Sequence, residues 1–297
     1  MAQPEVWTIG RLLTFTADYL KQHGSDSPRL DAEVLLAEAR ACKRIELYTA
    51  FDEVASDKVR AAFRELVRRR AEGAPVAYLV GKREFYSLPF RVTADVLIPR
   101  PETESLVVRL LDLAAQLAPA GSPISIADVG TGSGIIAVCA AKMLSQAQVI
   151  AIDASPAALE IARHNATQHG VAERIEFVDS DLFAALAIEQ KFNIVGSNPP
   201  YVSEAEFAKL PRSVKDFEPR AALVAGPRGT EVIEQLVPQA AQRLFPGGWL
   251  LLEVSPMIEP AVREIVSAHG GFELGATLKD AAGHPRIVQA KKAADAK

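Results

Sequence analysis

Hydrophobic positions in the first quarter of the chain recur at the three- and four-residue spacing of amphipathic helices. This spacing predicts a helix before the Gly24 break, a second after the capping pair Ser27-Pro28, and a third over residues 57–72. The first of these helical segments contains Leu12, Leu13, Phe15 and Leu20. Because short amphipathic helices need a partner for their apolar faces, we expect residues 1–75 to form a small helical domain.

The pattern changes after residue 75. Short strand-like runs lie on both sides of Leu88-Pro89, and they predict a β-hairpin within residues 76–100. We therefore expect residues 76–100 to link the helical domain to the rest of the chain. Helical spacing returns over residues 103–117.

From residue 101 onward, apolar runs of strand length alternate with helical segments. The predicted strands are residues 124–129, 148–152, 175–178, 192–197 and 249–254, and the predicted helices include residues 134–144 and 156–169. Such alternation is typical of a mostly parallel sheet covered by helices on both sides. The chain is therefore predicted to have an α/β fold, with residues 101–297 forming its second domain.

Composition narrows the class of protein. The chain has 297 residues, enough for about two domains, and a formal net charge of −4. Its pI of about 5.8 argues against a general nucleic-acid binder, although it leaves room for a small basic patch. Two cysteines and scattered histidines offer neither a disulfide framework nor metal-ligand spacing, so no metal is expected. Neither a membrane span nor a secretory signal is visible, and we expect a cytoplasmic protein without membrane association.

A glycine-rich loop follows the strand at 124–129 and precedes a helix. It consists of Gly130, Thr131, Gly132, Ser133 and Gly134. Alternate glycines allow a sharp turn and a close approach of the backbone to a ligand at the carboxyl edge of the sheet. The dinucleotide spacing G-x-G-x-x-G is absent, because the position of its third glycine is isoleucine. The G-x-G-x-G spacing instead resembles motif I of S-adenosylmethionine-dependent methyltransferases.

Acidic residues follow the next two strands. Asp153 ends the second strand, where a carboxylate can accept hydrogen bonds from both ribose hydroxyls of an adenosine. After the third strand, Asp181 can accept from the exocyclic amine of adenine while Leu182 packs on the ring. Asp181 and its neighbours also have the composition of an N-cap for a helix over residues 182–188, and the two interpretations are compatible.

The strand at 192–197 is followed by Asn198, Pro199, Pro200 and Tyr201. Two prolines stiffen the chain and remove two backbone donors, which leaves the carbonyls of Asn198 and Pro199 able to face a ligand. Asn198 adds an amide oxygen as acceptor, and Tyr201 adds an aromatic face. Two acceptors can hold both N–H bonds of a planar amide or amino group and direct its nitrogen lone pair at a sulfonium methyl group. These four residues are therefore the candidate catalytic group, with Asn198 next to the cofactor as well.

These motifs resemble those of class I methyltransferases that act on amino nitrogens, and more closely the protein-(glutamine-N5) methyltransferases of peptide chain release factors. The resemblance covers most of the chain. Besides the glycine loop, Asp153 and the Asn-Pro-Pro-Tyr tetrad, it includes residues 75–81, 83–85, 97–104, 217–223 and 246–248. The tetrad is shared with adenine-N6 enzymes, whereas the stretches at 75–85, 97–104 and 217–223 are far more specific.

The resemblance implies a helical N-terminal domain that helps to hold a protein substrate, a hairpin linker and a Rossmann-like seven-strand methyltransferase domain. It implies S-adenosyl-L-methionine as cofactor, S-adenosyl-L-homocysteine as product, and the glutamine of the Gly-Gly-Gln motif in class-1 release factors as substrate. We expect a monomer with no direct nucleic-acid partner. Two positions depart from the family pattern: Asn193 replaces a frequent Asp, and Val254-Ser255-Pro256 follows Glu253 where a hydrophobic residue and glycine are usual.

Three other functions predict different features. An adenine-N6 methyltransferase would need a basic target-recognition region with aromatic side chains for a flipped base. An NAD-dependent oxidoreductase would need the dinucleotide spacing and a hydride-transfer site. A non-catalytic binding protein would have a broken tetrad or glycine loop, and both are intact.

Two sets of charged residues have alternative interpretations. Arg60, Arg64 and Arg68, joined by Arg69 and Arg70, form either a solvated helix face or a docking site for an acidic partner. Arg100 and Glu102 either line the substrate entrance or cap the helix that follows them.

Overall fold

A computed structural model of the chain describes residues 6–118 and 122–294. The chain forms two compact units. The first combines the described part of Met1–Lys82 with Pro211–Phe217, and the second combines Arg83–Leu210 with the described part of Glu218–Lys297. The predicted fold class is confirmed, since the first unit is helical and the second is α/β. The predicted functional limits at residues 75 and 100 stay a prediction.

Helices dominate the start of the described chain, and strands and helices alternate after it. The helices are α1 (Ile9–Gln22), α2 (Pro28–Arg40), α3 (Glu46–Thr49), α4 (Asp57–Ala71), α5 (Val76–Val80), α6 (Thr103–Leu117), α7 (Ile135–Met143), α8 (Pro156–Gln168), α9 (Glu204–Phe207), α10 (Arg212–Lys215), α11 (Glu231–Arg243) and α12 (Glu259–Ala268). The strands are β1 (Lys82–Phe85), β2 (Leu88–Arg91), β3 (Ile124–Val129), β4 (Ala147–Asp153), β5 (Ile175–Asp179), β6 (Phe192–Ser197), β7 (Val202–Ser203), β8 (Val224–Gly226), β9 (Leu244–Glu253), β10 (Phe272–Leu274), β11 (Leu278–Lys279) and β12 (Pro285–Lys292).

The first unit packs α1, α2 and α4 around an apolar core. Its fully buried side chains include Ile9, Leu13, Leu35, Leu36 and Leu47. Among the apolar residues of α1, Phe15 is 60% exposed, and its ring meets the edge of Trp7 with centroids 5.5 Å apart. Phe15 lies off the buried stripe of α1, whose members are three and four residues apart along the helix.

The predicted hairpin is present, but its turn lies earlier than expected. Tyr86 and Ser87 occupy the turn between β1 and β2, with φ of 51° and 57°, the combination required by a type I′ turn. Leu88-Pro89 instead begins β2, where proline is tolerated because the two-stranded sheet has no further partner strand. Phe85 and Phe90 are buried beneath the turn, edge to face at 6.1 Å.

The large sheet of the second unit has the strand order β10-β12-β9-β6-β3-β4-β5, and β11 pairs beside β12. Strands β5, β4, β3, β6 and β9 are parallel, whereas β12 runs antiparallel to β9, and β10 antiparallel to β12. Seven strands thus form one continuous path, as the family resemblance implied, and β11 is a short addition.

Two apolar layers cover this sheet, one on each face. Successive residues of β3 point to opposite layers: Ile126 joins the cluster built from α6 and α7, and Ala127 joins the cluster built from α11 and α12. Because both faces of the sheet are covered, β3 is buried at five of its six positions rather than at alternate positions. The layers leave the carboxyl ends of the parallel strands as the place for a site.

Candidate active site

The glycine loop and the Asn-Pro-Pro-Tyr tetrad follow neighbouring strands. Strands β3 and β6 are parallel, with Val129 beside Ser197 in register, and the Ser197 hydroxyl donates to the Val129 carbonyl at 2.7 Å. From this point the strand order runs in opposite directions, to β4 and β5 on one side and to β9 on the other. Such a switch in strand order opens a crevice at the carboxyl edge, which is where open α/β sheets bind ligands.

A cavity of about 360 Å³ lies at this crevice. Its lining includes Gly130, Thr131, Gly132, Ser133, Asp153, Asp181, Leu182, Asn198, Pro199 and Pro200. The structure therefore brings together the predicted cofactor-binding residues and three members of the tetrad. Two predicted site residues, Gly134 and Tyr201, are not among the lining residues. The volume falls within the range of small-molecule sites.

The glycines of the loop have two different roles. Gly130 and Gly132 have φ of 73° and 54°, and a Cβ at either would meet no described protein atom within 4 Å, so the backbone faces space that a ligand can enter. A Cβ at Gly134 would lie 3.1 Å from the Cβ of Ala162 on α8. Gly134 thus permits close packing of α7 against α8.

Asp153 is fixed against the glycine loop at the end of β4. Its Oδ2 accepts from the Gly132 N–H at 2.8 Å and its Oδ1 accepts from the Ser155 N–H at 2.9 Å. Each oxygen keeps acceptor capacity for a further hydrogen bond, as a ribose diol requires. Burial raises the pKa of Asp153, and the charge of Asp179 adds to the rise, while the backbone N–H groups oppose it.

Asp128 supports the loop from beneath. It is fully buried, and its Oδ2 accepts from the Thr131 hydroxyl at 2.6 Å and from the Ala137 N–H at 3.0 Å. Burial raises the pKa of Asp128 to about 7. Sequence reasoning gave Asp128 no role, although its place two residues before the first glycine of the loop was a usable signal.

The predicted helix over residues 182–188 is wrong. The segment forms turns, because the Ser180 hydroxyl accepts the Ala185 N–H at 2.9 Å and Leu182 adopts a left-handed φ of 49°. The Ser180 N–H donates to the Asp153 carbonyl at 3.0 Å. This conformation places Asp181 and Leu182 on the cavity wall, and their role beside an adenine stays a prediction.

The tetrad combines a polar side chain at the cavity with a packed aromatic ring. Asn198 is half-buried, and its Nδ2 donates to the Thr103 hydroxyl at 3.3 Å. Tyr201 packs against the cluster formed with α11 and α12. Burial, and then the charge of Glu253, raise the pKa of Tyr201 to about 12, so its hydroxyl is protonated at neutral pH. The role predicted for the ring face of Tyr201 stays a prediction.

Two sequence stretches that are distant along the chain meet at the cavity. Arg100 lines it, and the Arg100 Nη2 donates to Glu218 Oε1 at 2.6 Å. Glu102 occupies the N-cap position of α6 without a side-chain capping bond. The sequence left open whether Arg100 and Glu102 line the substrate entrance or cap the following helix. In the structure, Arg100 lines the cavity and Glu102 does not. Sequence reasoning missed the partner Glu218, which lies far away in sequence.

Most of the arginine ridge on α4 is paired within the first unit. Arg60 pairs with Asp57, Arg68 pairs with Glu65 at 2.7 Å and also with Glu72, and Arg70 pairs with Asp31 at 2.8 Å. The pairs of Arg68 are exposed, as on a solvated helix face, whereas the Arg70 and Asp31 side chains are mostly buried. Within residues 6–118 and 122–294, no group of three or more His, Cys, Asp and Glu residues could hold a metal ion. In the same part of the chain, no helix is long and apolar enough to span a bilayer.

The fold and this cavity define a class I S-adenosylmethionine-dependent methyltransferase. A G-x-G-x-G loop lies at the switch in strand order, and the carboxylate of Asp153, at the end of the next strand, accepts a hydrogen bond from this loop. The fold is also that of solved methyltransferases. The catalytic domain of hMettl16, solved with the MAT2A 3′UTR hairpin 6, is 16% identical with a TM-score of 0.56 over 77% of this chain and 82% of that one. A Pyrococcus furiosus methyltransferase is 18% identical with a TM-score of 0.51 over 76% and 97%.

Sequence comparison identifies the family. Residues 11–81 match the PrmC N-terminal domain, and residues 111–213 match the methyltransferase small domain. The release factor glutamine methyltransferase of Rhodopirellula baltica is 51% identical over 97% of both chains. That of Vibrio cholerae is 40% identical over 95% of this chain and 96% of its own. The chain belongs to the release factor glutamine methyltransferase family.

Proposed function

We propose that this enzyme methylates the side-chain amide nitrogen, N5, of the glutamine in the Gly-Gly-Gln motif of class-1 release factors. The product pair is the N5-methylglutamine protein and S-adenosyl-L-homocysteine. The observation that carries the proposal is the position of Asn198, which follows β6 beside the glycine loop and lines the same cavity. Family membership supports the release factor as the partner.

Different residues of the cavity bind the cofactor and the substrate amide. S-adenosyl-L-methionine, when bound, supplies an electrophilic sulfonium methyl group. The glycine loop and Asp153 hold the adenosine part, with Asp181 and Leu182 beside the adenine. The acceptors for the substrate amide are the side-chain oxygen of Asn198 and the backbone carbonyls of Asn198 and Pro199. They accept the N–H bonds of the amide and fix its nitrogen in place.

A neutral amide nitrogen is a poor nucleophile, because its lone pair is delocalised into the carbonyl. As the C–N bond forms, positive charge develops on this nitrogen, and acceptors already in place stabilise it. The methylated nitrogen is then acidic enough to lose its proton to water without a dedicated base. Tyr201, protonated at neutral pH, is unsuited to be that base.

We further propose that the N-terminal domain, residues 1–75, helps to hold the release factor, and that residues 76–100 link it to the catalytic domain at 101–297. We also propose that the enzyme is a monomer in the cytoplasm and makes no direct contact with nucleic acid. The cytoplasm is where release factors act in translation termination.

The test uses methyl-labelled S-adenosylmethionine with a release factor and with its Gln→Ala variant at the Gly-Gly-Gln motif. We expect label on the first and none on the second. Asn198→Ala should abolish transfer while cofactor affinity stays within about two-fold, and the exposed-site control Gln190→Ala should transfer normally. Equal label on both release factors, or normal turnover by Asn198→Ala, would contradict the proposal.

A further inference from the structure

Glu253 is a buried acid that the sequence patterns left without a role. It ends β9 and is 1% exposed. Its carboxyl oxygen Oε2 has no hydrogen-bond partner among the described residues. A buried carboxyl group with an unsatisfied oxygen is destabilising, so its presence calls for a compensating function.

The surroundings of Glu253 lead to the tetrad. Strands β6 and β9 are parallel with Ser197 beside Leu252 in register, so Asn198 and Glu253 come next on neighbouring strands. The side chains of Thr103 and Asn198 favour the charged form of the Glu253 carboxyl and oppose the rise of its pKa. Asn198 Nδ2 also donates to the Thr103 hydroxyl at 3.3 Å. The Thr103 hydroxyl and the Glu253 carboxyl can thus act together as acceptors, one for each N–H of the Asn198 NH₂ group.

An asparagine side chain has a donor end and an acceptor end of nearly the same shape, so its orientation depends on its neighbours. A carboxylate accepts hydrogen bonds only, and it therefore binds the NH₂ end and rejects the oxygen. With NH₂ held in this way, Oδ1 remains for a ligand in the cavity that Asn198 and Thr103 both line.

We propose that Glu253 is a positioning residue, which turns the Asn198 amide so that Oδ1 accepts an N–H bond of the substrate amide. This inference rests on the proposed glutamine methylation. Glu253 touches neither substrate nor cofactor in this scheme, and it acts through Asn198.

The protonation state of Glu253 changes this orienting effect. Burial raises the pKa of Glu253 to about 7, with Glu102 adding to the rise and Arg286 opposing it. Tyr201 also interacts with the Glu253 carboxyl, and its hydroxyl stays protonated and neutral near pH 7. A protonated carboxyl can donate to Oδ1 and favour the unproductive orientation, so turnover should rise with pH as Glu253 ionises.

The test compares the full-length enzyme with Glu253→Gln, using a release factor and saturating S-adenosylmethionine. Glutamine keeps the shape but offers both a donor and an acceptor, so it no longer selects one orientation. We expect kcat to fall about ten-fold or more, with KM for the release factor and cofactor affinity within about two-fold. The rise of wild-type kcat near pH 7 should disappear in Glu253→Gln. The exposed-site control Glu189→Gln should match wild type.

Thr103→Val is a second variant that removes one acceptor at nearly constant shape, and we expect a several-fold lower kcat. Unchanged kcat in Glu253→Gln, or an unchanged pH profile, would overturn the role of Glu253 while the proposed function stands. If wild type itself transfers no methyl group to the release factor, the proposed function fails, and this inference fails with it.

Discussion

Arg100 and Glu218 form an ion pair at the wall of the cavity, with 2.6 Å between Arg100 Nη2 and Glu218 Oε1. The other carboxyl oxygen of Glu218 accepts the Ile98 N–H at 3.2 Å. The Glu218 side chain is 1% exposed, whereas that of Arg100 is 33% exposed. Glu218 therefore ties together the segment that contains Ile98 and Arg100 and its own distant part of the chain.

Arg100→Ala should lower the free energy of unfolding by about 2 kcal/mol. The variant leaves a buried carboxylate without its cation, and partial exposure of Arg100 keeps the loss below the ~3–5 kcal/mol of fully buried pairs. Urea unfolding measures the change. The matched control is Arg163→Ala, whose pair with Glu160 is exposed at 44% and 75%, and it should cost under about 1 kcal/mol. Equal losses in the two variants would argue against a structural role for the Arg100 pair.

Asp153→Asn should weaken S-adenosylmethionine binding by about ten- to one-hundred-fold. The change removes a charged acceptor for the ribose hydroxyls, and hydrogen bonds to charged groups are worth about 1.5–3 kcal/mol. Isothermal titration calorimetry measures the affinity. Asp179→Asn is the matched control, because Asp179 lies beside Asp153 on the neighbouring strand, and it should bind nearly as wild type does. The role of Asp153 is refuted if both variants bind with wild-type affinity.

Gly229→Ala should lower methyl transfer by displacing the tetrad. A Cβ at Gly229 would lie 2.7 Å from the carbonyl oxygen of Tyr201 and 3.3 Å from the Ser203 nitrogen, so the backbone after Pro200 must move. Gly283→Ala is the control, since Gly283 has a similar φ of +85° but open space around it. Both variants carry the strain of a left-handed alanine, about 1 kcal/mol. Only Gly229→Ala should lose kcat, and comparable kcat in the two variants would show that the tetrad tolerates the shift.

Stability should depend on pH through Asp128. The pKa of this carboxyl group is raised from 3.8 to about 7 in the folded state, so the folded protein holds the proton more tightly than the unfolded chain. The contribution is full below about pH 4 and is lost as pH rises through about 7. Wild type should therefore lose stability relative to Asp128→Asn over this range, by an upper limit of roughly 4 kcal/mol. Urea unfolding of both proteins at several pH values measures it, and a difference independent of pH would contradict the burial of an ionisable Asp128.

Local patterns predicted the elements of the fold well. The helix predicted at 103–117 is α6, and the strands predicted at 124–129 and 192–197 are β3 and β6. Buried faces impose their period on the sequence, and both sheet faces are covered. The pattern failed over residues 182–188, where the Ser180 hydroxyl bonds the backbone in place of a helix.

The candidate site was predictable only where a motif is contiguous. The glycine loop and the tetrad are read directly from the sequence, and parallel strands bring them together. Thr103, Glu218 and Glu253 come from separate segments, and their partners depend on how α6 and β9 pack against β6, which no local pattern specifies. The packing role of Gly134 was not predictable either. It depends on Ala162 of a different helix, which lies so close that a Cβ at Gly134 would be only 3.1 Å from the Ala162 Cβ.

Peptide mapping of the methylated product would locate the transferred methyl group on the release factor. A class-1 release factor is incubated with the enzyme and S-adenosylmethionine, digested, and sequenced by tandem mass spectrometry. We expect one added methyl group, on the side-chain amide nitrogen of the Gly-Gly-Gln glutamine, and none with Asn198→Ala. A methyl group on any other residue, or an unmodified release factor, would contradict the proposed function.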